Sequence, residues 1–201
     1  MKKGKLISLS GVDGSGKTTQ AKILYSTLTR KRFSVIKVQT FEYLILKPIT
    51  NIFKRNGSFK QIPKYYSTNT NPILRLWFVP AFIDMWIIYL TKIIPITFKY
   101  DIVISDRYFT DMAVSIASLG YMPRRFFELY IKFLPRANKQ ILLLLDPKTS
   151  LERSKEYDLK YHSAQNQLYR VVSKTINSHQ INAKLGKGAI SQQIITCVKN
   201  I

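Results

Sequence analysis

Two kinds of hydrophobic run alternate along the chain. The first kind is short and almost unbroken: residues 5–10 (KLISLS), 33–38 (FSVIKV), 101–105 (DIVIS) and 140–146 (QILLLLD). Such stretches read as strands. The lack of apolar–polar alternation in 101–105 and 140–146 implies that both faces of those strands are buried, as in a parallel sheet. The second kind has the helical period. Residues 18–30 place Ala21, Leu24, Tyr25 and Leu28 on one face, and similar spacing recurs over 110–119, over 123–134 and again after Pro147. Strands alternating with helices predict an α/β fold with a parallel sheet of about five strands flanked by helices on both faces. No repeat, low-complexity tract or composition shift divides the chain, so residues 1–201 are expected to form one domain.

The middle of the chain interrupts this rhythm. Residues 43–55 have a helical pattern, and the polar, turn-rich stretch NGSFKQIPKYYSTNTNP follows at 56–72. Residues 73–96, ILRLWFVPAFIDMWIIYLTKIIPI, are the most apolar part of the chain. Arg75, Asp84 and Lys92 interrupt this segment, as do Pro80 and Pro95. A charge near the centre of a membrane span costs about 2.5–3.5 kcal/mol, so the segment predicts a buried helix, kinked or broken at its prolines, and no transmembrane segment. Association with a membrane surface is the alternative.

Composition adds a reducing setting and a strong charge. Hydrophobic residues make up 46% and charged residues 21%, enough apolar mass for a packed core. The one cysteine, Cys197, excludes an internal disulfide, fits a cytoplasmic location and reads as a packing residue. His162 and His179 have no metal-ligand spacing to other residues. The basic start MKKGKLISLS has too short an apolar run for a signal peptide. A net charge of +21 attracts polyanions such as nucleic acid, anionic membrane or phosphorylated small molecules. The basic residues form no tract, so a solvated surface with no specific partner stays equally open.

Chemistry is concentrated at 11–19, GVDGSGKTT. Gly11, four residues, then Gly16, Lys17 and Thr18 form a complete phosphate-binding loop between a buried strand and a helix. Glycines allow the positive backbone torsions that turn successive N–H groups onto phosphate oxygens, and the helix N-terminus adds its dipole. Gly11, Val12, Asp13, Gly14, Ser15, Gly16, Lys17, Thr18 and Thr19 are therefore the candidate ATP-binding residues. Lys17 would meet the β- and γ-phosphates, and the Thr18 hydroxyl would coordinate Mg²⁺. No Asn-Lys-x-Asp guanine-reading motif follows, which sets aside a small GTPase.

GVDGSGKTTQ together with ISDRYFTDMAVS at 104–115 resembles the thymidylate kinase family of P-loop nucleotide kinases. LLLLDPKTSLERSKEYD resembles that family's next strand, helix and basic lid, and HQINAK its last strand. The resemblance implies phosphoryl transfer from ATP with Mg²⁺. It places Asp13 near the acceptor's sugar hydroxyl, Asp106 at hydrated Mg²⁺, and Arg107 on the acceptor phosphate with Tyr108 beside it. The catalytic set it implies is Lys17, Arg107 and Arg153, the last from a lid at about 150–162, where Lys155 and Lys160 are further candidates. It also implies pairing of two chains, for which the apolar helices around 73–96 and 110–119 are candidates unless they are interior.

The acceptor is less determined. The family carries Arg-Glu-Pro after its second strand, whereas this chain has Gln39-Thr40-Phe41-Glu42, which keeps Glu42 as an acceptor-site candidate but lacks the arginine. In the long helix, the base-reading arginine of the family is also missing, and Phe78 is either a stacking partner for the base or core packing. A nucleoside monophosphate, dTMP first, is the expected acceptor. A deoxynucleoside or another metabolite is the alternative, and an ATP-binding nucleic-acid or membrane-surface protein is a third reading that the charge favours.

Overall fold

The computed structural model describes residues 3–40, 44, 46, 76–155 and 157–199. Its centre is a five-stranded, all-parallel sheet of β1 (Lys5–Gly11), β2 (Val35–Val38), β3 (Ile102–Asp106), β4 (Lys139–Leu144) and β5 (His179–Asn182), in the order β2-β3-β1-β4-β5. The apolar runs explain the order of burial. All five residues of β3 are buried and so are the middle four of β4, because helices cover both faces. The register brings Leu9 opposite Asp106 and Gly11 opposite Leu143, so the strands' C-terminal ends meet along one edge.

Two helices, α1 (Lys17–Arg30) and α8 (Lys187–Val198), pack together on one face. Gln20 bridges them, donating from Nε2 to the Lys187 carbonyl (3.1 Å) and accepting from Ser191 Oγ (2.7 Å). The opposite face carries α2 (Phe78–Ile88), the short α3 (Ile94–Thr97), α4 (Phe109–Ser118), α5 (Arg124–Lys132) and α7 (Leu159–Thr175), with α6 (Pro147–Ser154) running into α7.

The expected elements recur with ends shifted by a residue or two, and three details differ. Tyr25 is 38% exposed, whereas Lys17 and Gln20 complete the buried stripe of α1 with Ala21, Leu24 and Leu28. The apolar segment runs continuously from Phe78 to Thr97. Pro80 sits in the first turn of α2, where no N–H is needed, and a π-helical turn at Tyr89–Ile93 takes up the misfit before Pro95 at the start of α3. This helix is also not a buried one. It buries Ala81, Asp84, Met85 and Ile88 but leaves Val79, Ile83 and Leu90 about half exposed, since only one side meets the core. By length and mean hydropathy (1.6) it is the one described helix able to cross a membrane, yet Asp84 lies within it, 1% exposed and accepting the Leu44 N–H (2.8 Å). The predicted helix over 43–55 and most of the 56–72 connection lie outside the described residues.

Helix α4 belongs to the interior, with nine of its ten residues buried, so it offers no surface for pairing. Among the described residues, an exposed apolar surface lies between α2 and α5 instead, in a groove lined by Val79, Phe82, Ile83, Trp86, Leu129 and Phe133.

The sheet leaves no room for a side chain where the glycine loop departs. Gly11 has φ 151°, and a Cβ there would stand 2.1 Å from the Leu143 carbonyl oxygen of β4. Gly11→Ala is expected to cost about 3 kcal/mol, overpacking against backbone plus torsional strain. Urea unfolding should show a lowered midpoint at an unchanged m-value.

Candidate functional site

The loop from Gly11 to Gly16 leaves β1 and opens α1. Gly14 and Gly16 have φ of 76° and 83°, torsions that side chains rarely adopt. Gly16 caps α1 without any side-chain hydrogen bond, so the first-turn N–H groups have no partner from a capping side chain. A Cβ on Gly16 would meet nothing within 4 Å, which leaves open space over that helix end. Beside it, the Ser15 hydroxyl is buried without a partner among the described residues. An open cradle, uncapped amides and an orphaned hydroxyl fit a bound phosphate chain.

Lys17 is 5% exposed, and its ammonium donates to the carbonyls of Gly11 (2.8 Å) and Val12 (2.9 Å). Burial pushes it below the ordinary lysine value, and the nearby Asp111 and Asp13 carboxylates oppose that shift. Thr18 Oγ1 donates to Asp106 Oδ1 at 3.2 Å. A hydroxyl and a buried carboxylate are hard oxygen donors, suited to Mg²⁺ when phosphates and water supply the remaining ligands. Among the described residues no cluster of three His, Cys, Asp or Glu forms a metal cage.

Next to Asp106, Arg107 adopts φ 71°, a left-handed torsion unusual for a residue with a side chain. The Arg107 carbonyl holds it there, accepting from Thr40 Oγ1 (2.9 Å) and Ser105 Oγ (2.6 Å), while its N–H donates to Leu9 (3.0 Å). The turn aims the guanidinium back over the loop, with Nη1 3.6 Å from Asp13 Oδ1. Tyr108 is 1% exposed, its hydroxyl without a partner among the described residues, and burial pushes that hydroxyl well above the ordinary tyrosine value.

Asp13 is the junction of the site. Lys17 Nζ lies 3.9 Å from its carboxylate, and Gln165 from α7 both accepts its N–H (3.0 Å) and donates to its Oδ2 (2.9 Å). Ser150 of α6 donates to its carbonyl (2.6 Å). Gln165 and Ser150 were not among the residues the sequence singled out, since neither belongs to a motif and both lie more than 130 positions from Asp13.

The segment expected as a lid comprises the end of α6, the left-handed Lys155 and Tyr157, and the start of α7. It lies directly on the loop: a Cβ on Gly14 would come 2.9 Å from Arg153 Cβ. The Arg153 guanidinium donates to the Ala183 carbonyl (2.9 Å), and Lys155 and Lys160 are exposed. Phe78 stands with Phe126 (ring centroids 5.8 Å) and Tyr130 (6.0 Å) beside the α2–α5 groove. Glu42 lies outside the described residues.

At the N-cap of α6, Asp146 accepts from Lys184 Nζ (2.8 Å) and from Thr149. Those bonds, Lys184 first, hold its carboxyl well below the usual carboxylate range. A carboxyl depressed on folding stabilises the fold above its unfolded value of about 3.9, and that contribution fades as pH falls below it. The stability gap between wild type and Lys184→Ala should therefore be constant above about pH 5 and shrink below about pH 4, as read from melting temperatures across that range.

No family model matches the chain. Among curated proteins, it is 26% identical over 203 residues to "Probable thymidylate kinase 1" of Saccharolobus solfataricus, covering 97% of each chain. It is 32% identical over 148 residues to "Probable thymidylate kinase" of Sulfurisphaera tokodaii, covering 73% of this chain and 65% of that protein.

Proposed function

We propose that the protein transfers the γ-phosphoryl group of ATP to a nucleoside monophosphate, dTMP being the first acceptor to test. The observation that carries this reading is the convergence of the cradle, the buried Lys17, the Thr18–Asp106 pair and the strained Arg107 on one sheet edge. The names of the two relatives support the same chemistry. Nucleotides, Mg²⁺ and a single catalytic domain with a lid at about 150–162 follow from that reading.

In this reaction the bond between the γ-phosphorus and the β,γ-bridging oxygen breaks, and an acceptor phosphate oxygen bonds to that phosphorus. The attacking oxygen is already ionised at neutral pH, so the task is alignment and neutralisation of charge rather than proton removal. Lys17 leaves its two carbonyl partners for the transferring phosphates. Arg107 presents a guanidinium fork to the acceptor phosphate, and Asp13 receives the acceptor's sugar hydroxyl. Thr18 and Asp106 would hold Mg²⁺, which would supply charge neutralisation on the phosphates. Arg153 is the lid cation, and its release from the Ala183 carbonyl would bring it into play.

A different acceptor is the second reading. The contacts of Phe78 with Phe126 and Tyr130 favour it, because a ring engaged there serves the groove rather than a base. For the pairing of two chains, the α2–α5 groove is the surface we assign, with polyanion binding as a secondary effect of the +21 charge.

ADP formation from ATP and Mg²⁺ should depend on one acceptor from a panel of dTMP, dUMP, other monophosphates and thymidine, and should fall by at least about a hundredfold in Lys17→Met. Equal ADP formation with and without every acceptor would remove the kinase reading. Light scattering should give twice the 23.3 kDa chain mass for wild type and the single mass for Leu129→Glu. A wild-type monomer would remove the pairing.

A further inference from the structure

Asp13 is gripped from behind. Of its polar atoms, the N–H and Oδ2 are bonded by one side chain, Gln165, and the carbonyl by Ser150. Oδ1 alone faces the cations, at 3.6 Å from Arg107 Nη1 and 3.9 Å from Lys17 Nζ. Both distances exceed a direct hydrogen bond, so each cation feels the carboxylate without being captured by it.

Gln165 is 4% exposed, and its amide group is fully used. Oε1 accepts from the Asp13 N–H, while Nε2 donates to Asp13 Oδ2 (2.9 Å) and to the Tyr161 hydroxyl (3.2 Å). The reverse orientation would set an NH₂ against an N–H and an oxygen against a carboxylate, so the geometry admits only one. Tyr161 Oη in turn lies 3.5 Å from Oδ2. Ser150 gives its proton to the Asp13 carbonyl and so accepts from His162 Nδ1 (2.8 Å). One face of α7, Tyr161, His162 and Gln165, thus governs Asp13 directly or through Ser150.

We propose that Gln165 is a positioning residue that aims the Asp13 carboxylate at the acceptor. This rests on the kinase reading above. Released from Gln165, the carboxylate would be free to swing away from the acceptor's sugar hydroxyl. With Gln165 in place, Asp13 stays aimed at the acceptor, and α7 sets that aim.

The test uses the full chain as wild type, Gln165→Leu and Gln165→Glu. Gln165→Leu should raise the acceptor KM about tenfold or more, the weight of one hydrogen bond to a charged group, while the ATP KM stays within about twofold. Gln165→Glu keeps the shape but sets a carboxylate against Asp13. One of the two must take a proton, so its activity relative to wild type should be low at pH 8 and recover towards pH 5.5. Taking the ratio to wild type cancels titration of the groups facing the pair: Lys17 of α1, Arg107 after β3, Tyr161 and, through Ser150, His162 of α7. Both KM values moving together, or a ratio unchanged by pH, would overturn the proposal. Should wild type phosphorylate no acceptor, the kinase reading fails by itself, and melting temperatures then judge the contact. Gln165→Glu should be more destabilised at pH 8 than at pH 5.5, and equal destabilisation would overturn the Gln165–Asp13 contact as well.

Discussion

The Asp111 carboxylate is buried where three parts of the chain meet, and it accepts a hydrogen bond from each. Oδ1 takes the N–H of Gly11 (3.2 Å) and the hydroxyl of Tyr169 (2.7 Å), and Oδ2 takes the N–H of Tyr108 (2.8 Å). The first fixes where the glycine loop leaves β1, the second fastens α7, and the third starts α4 directly after the Asp-Arg-Tyr segment. A carboxylate taken from water is costly unless its lone pairs are satisfied and a cation is near. Here the donors are supplied, and the buried Lys17 ammonium senses the negative charge. The bond works in both directions, since burial and Asp111 together push the Tyr169 hydroxyl well above its ordinary value and keep it a donor. The glycine loop, the turn after β3 and α7 therefore share one anchor.

That anchor explains how an irregular site is built on a regular frame. The sheet brings Gly11 and Asp106 to the same edge by register alone. What register does not supply is the direction in which each chain turns after its strand. Arg107 is forced through a left-handed torsion by hydrogen bonds to its own carbonyl, and Tyr108 is then caught by Asp111. The helices behind the sheet act at a distance through these bonds.

The glycine-loop end of the candidate site was legible in the sequence because its signals are local. The strand, the glycines, Lys17 and Thr18 occupy one short stretch, and the apolar runs of β3 and β4 announce strands buried on both sides. The bonds that orient this set are not local. Gln165 and Ser150 reach Asp13 across more than 130 residues, and a lone glutamine or serine on a helix carries no pattern. Asp111 had a weak signal, an acidic residue in a helix's first turn, but that predicts a cap and not a bond to Gly11. The long apolar helix misled for a related reason. Composition shows that it is apolar all round, and only packing shows that one side is left open above the α2–α5 groove.

Part of the strain and several of the unmet polar groups lie at one edge of this fold. The left-handed Arg107, the glycines at positive φ, the orphaned Ser15 hydroxyl and a lysine cation forced into the interior all lie within the same cradle or beside it. The left-handed Arg107, the orphaned hydroxyl and the buried ammonium each cost stability in the free protein, and a core built on β3 and β4 can carry that cost because its packing lies elsewhere. An anion in the cradle would relieve two of these at once, accepting from the Ser15 hydroxyl and giving Lys17 a partner stronger than two carbonyls, and it would also accept from the uncapped amides. Binding of an anion there would therefore stabilise the fold as well, and the residues that fit the structure least well are the ones that the proposed chemistry uses.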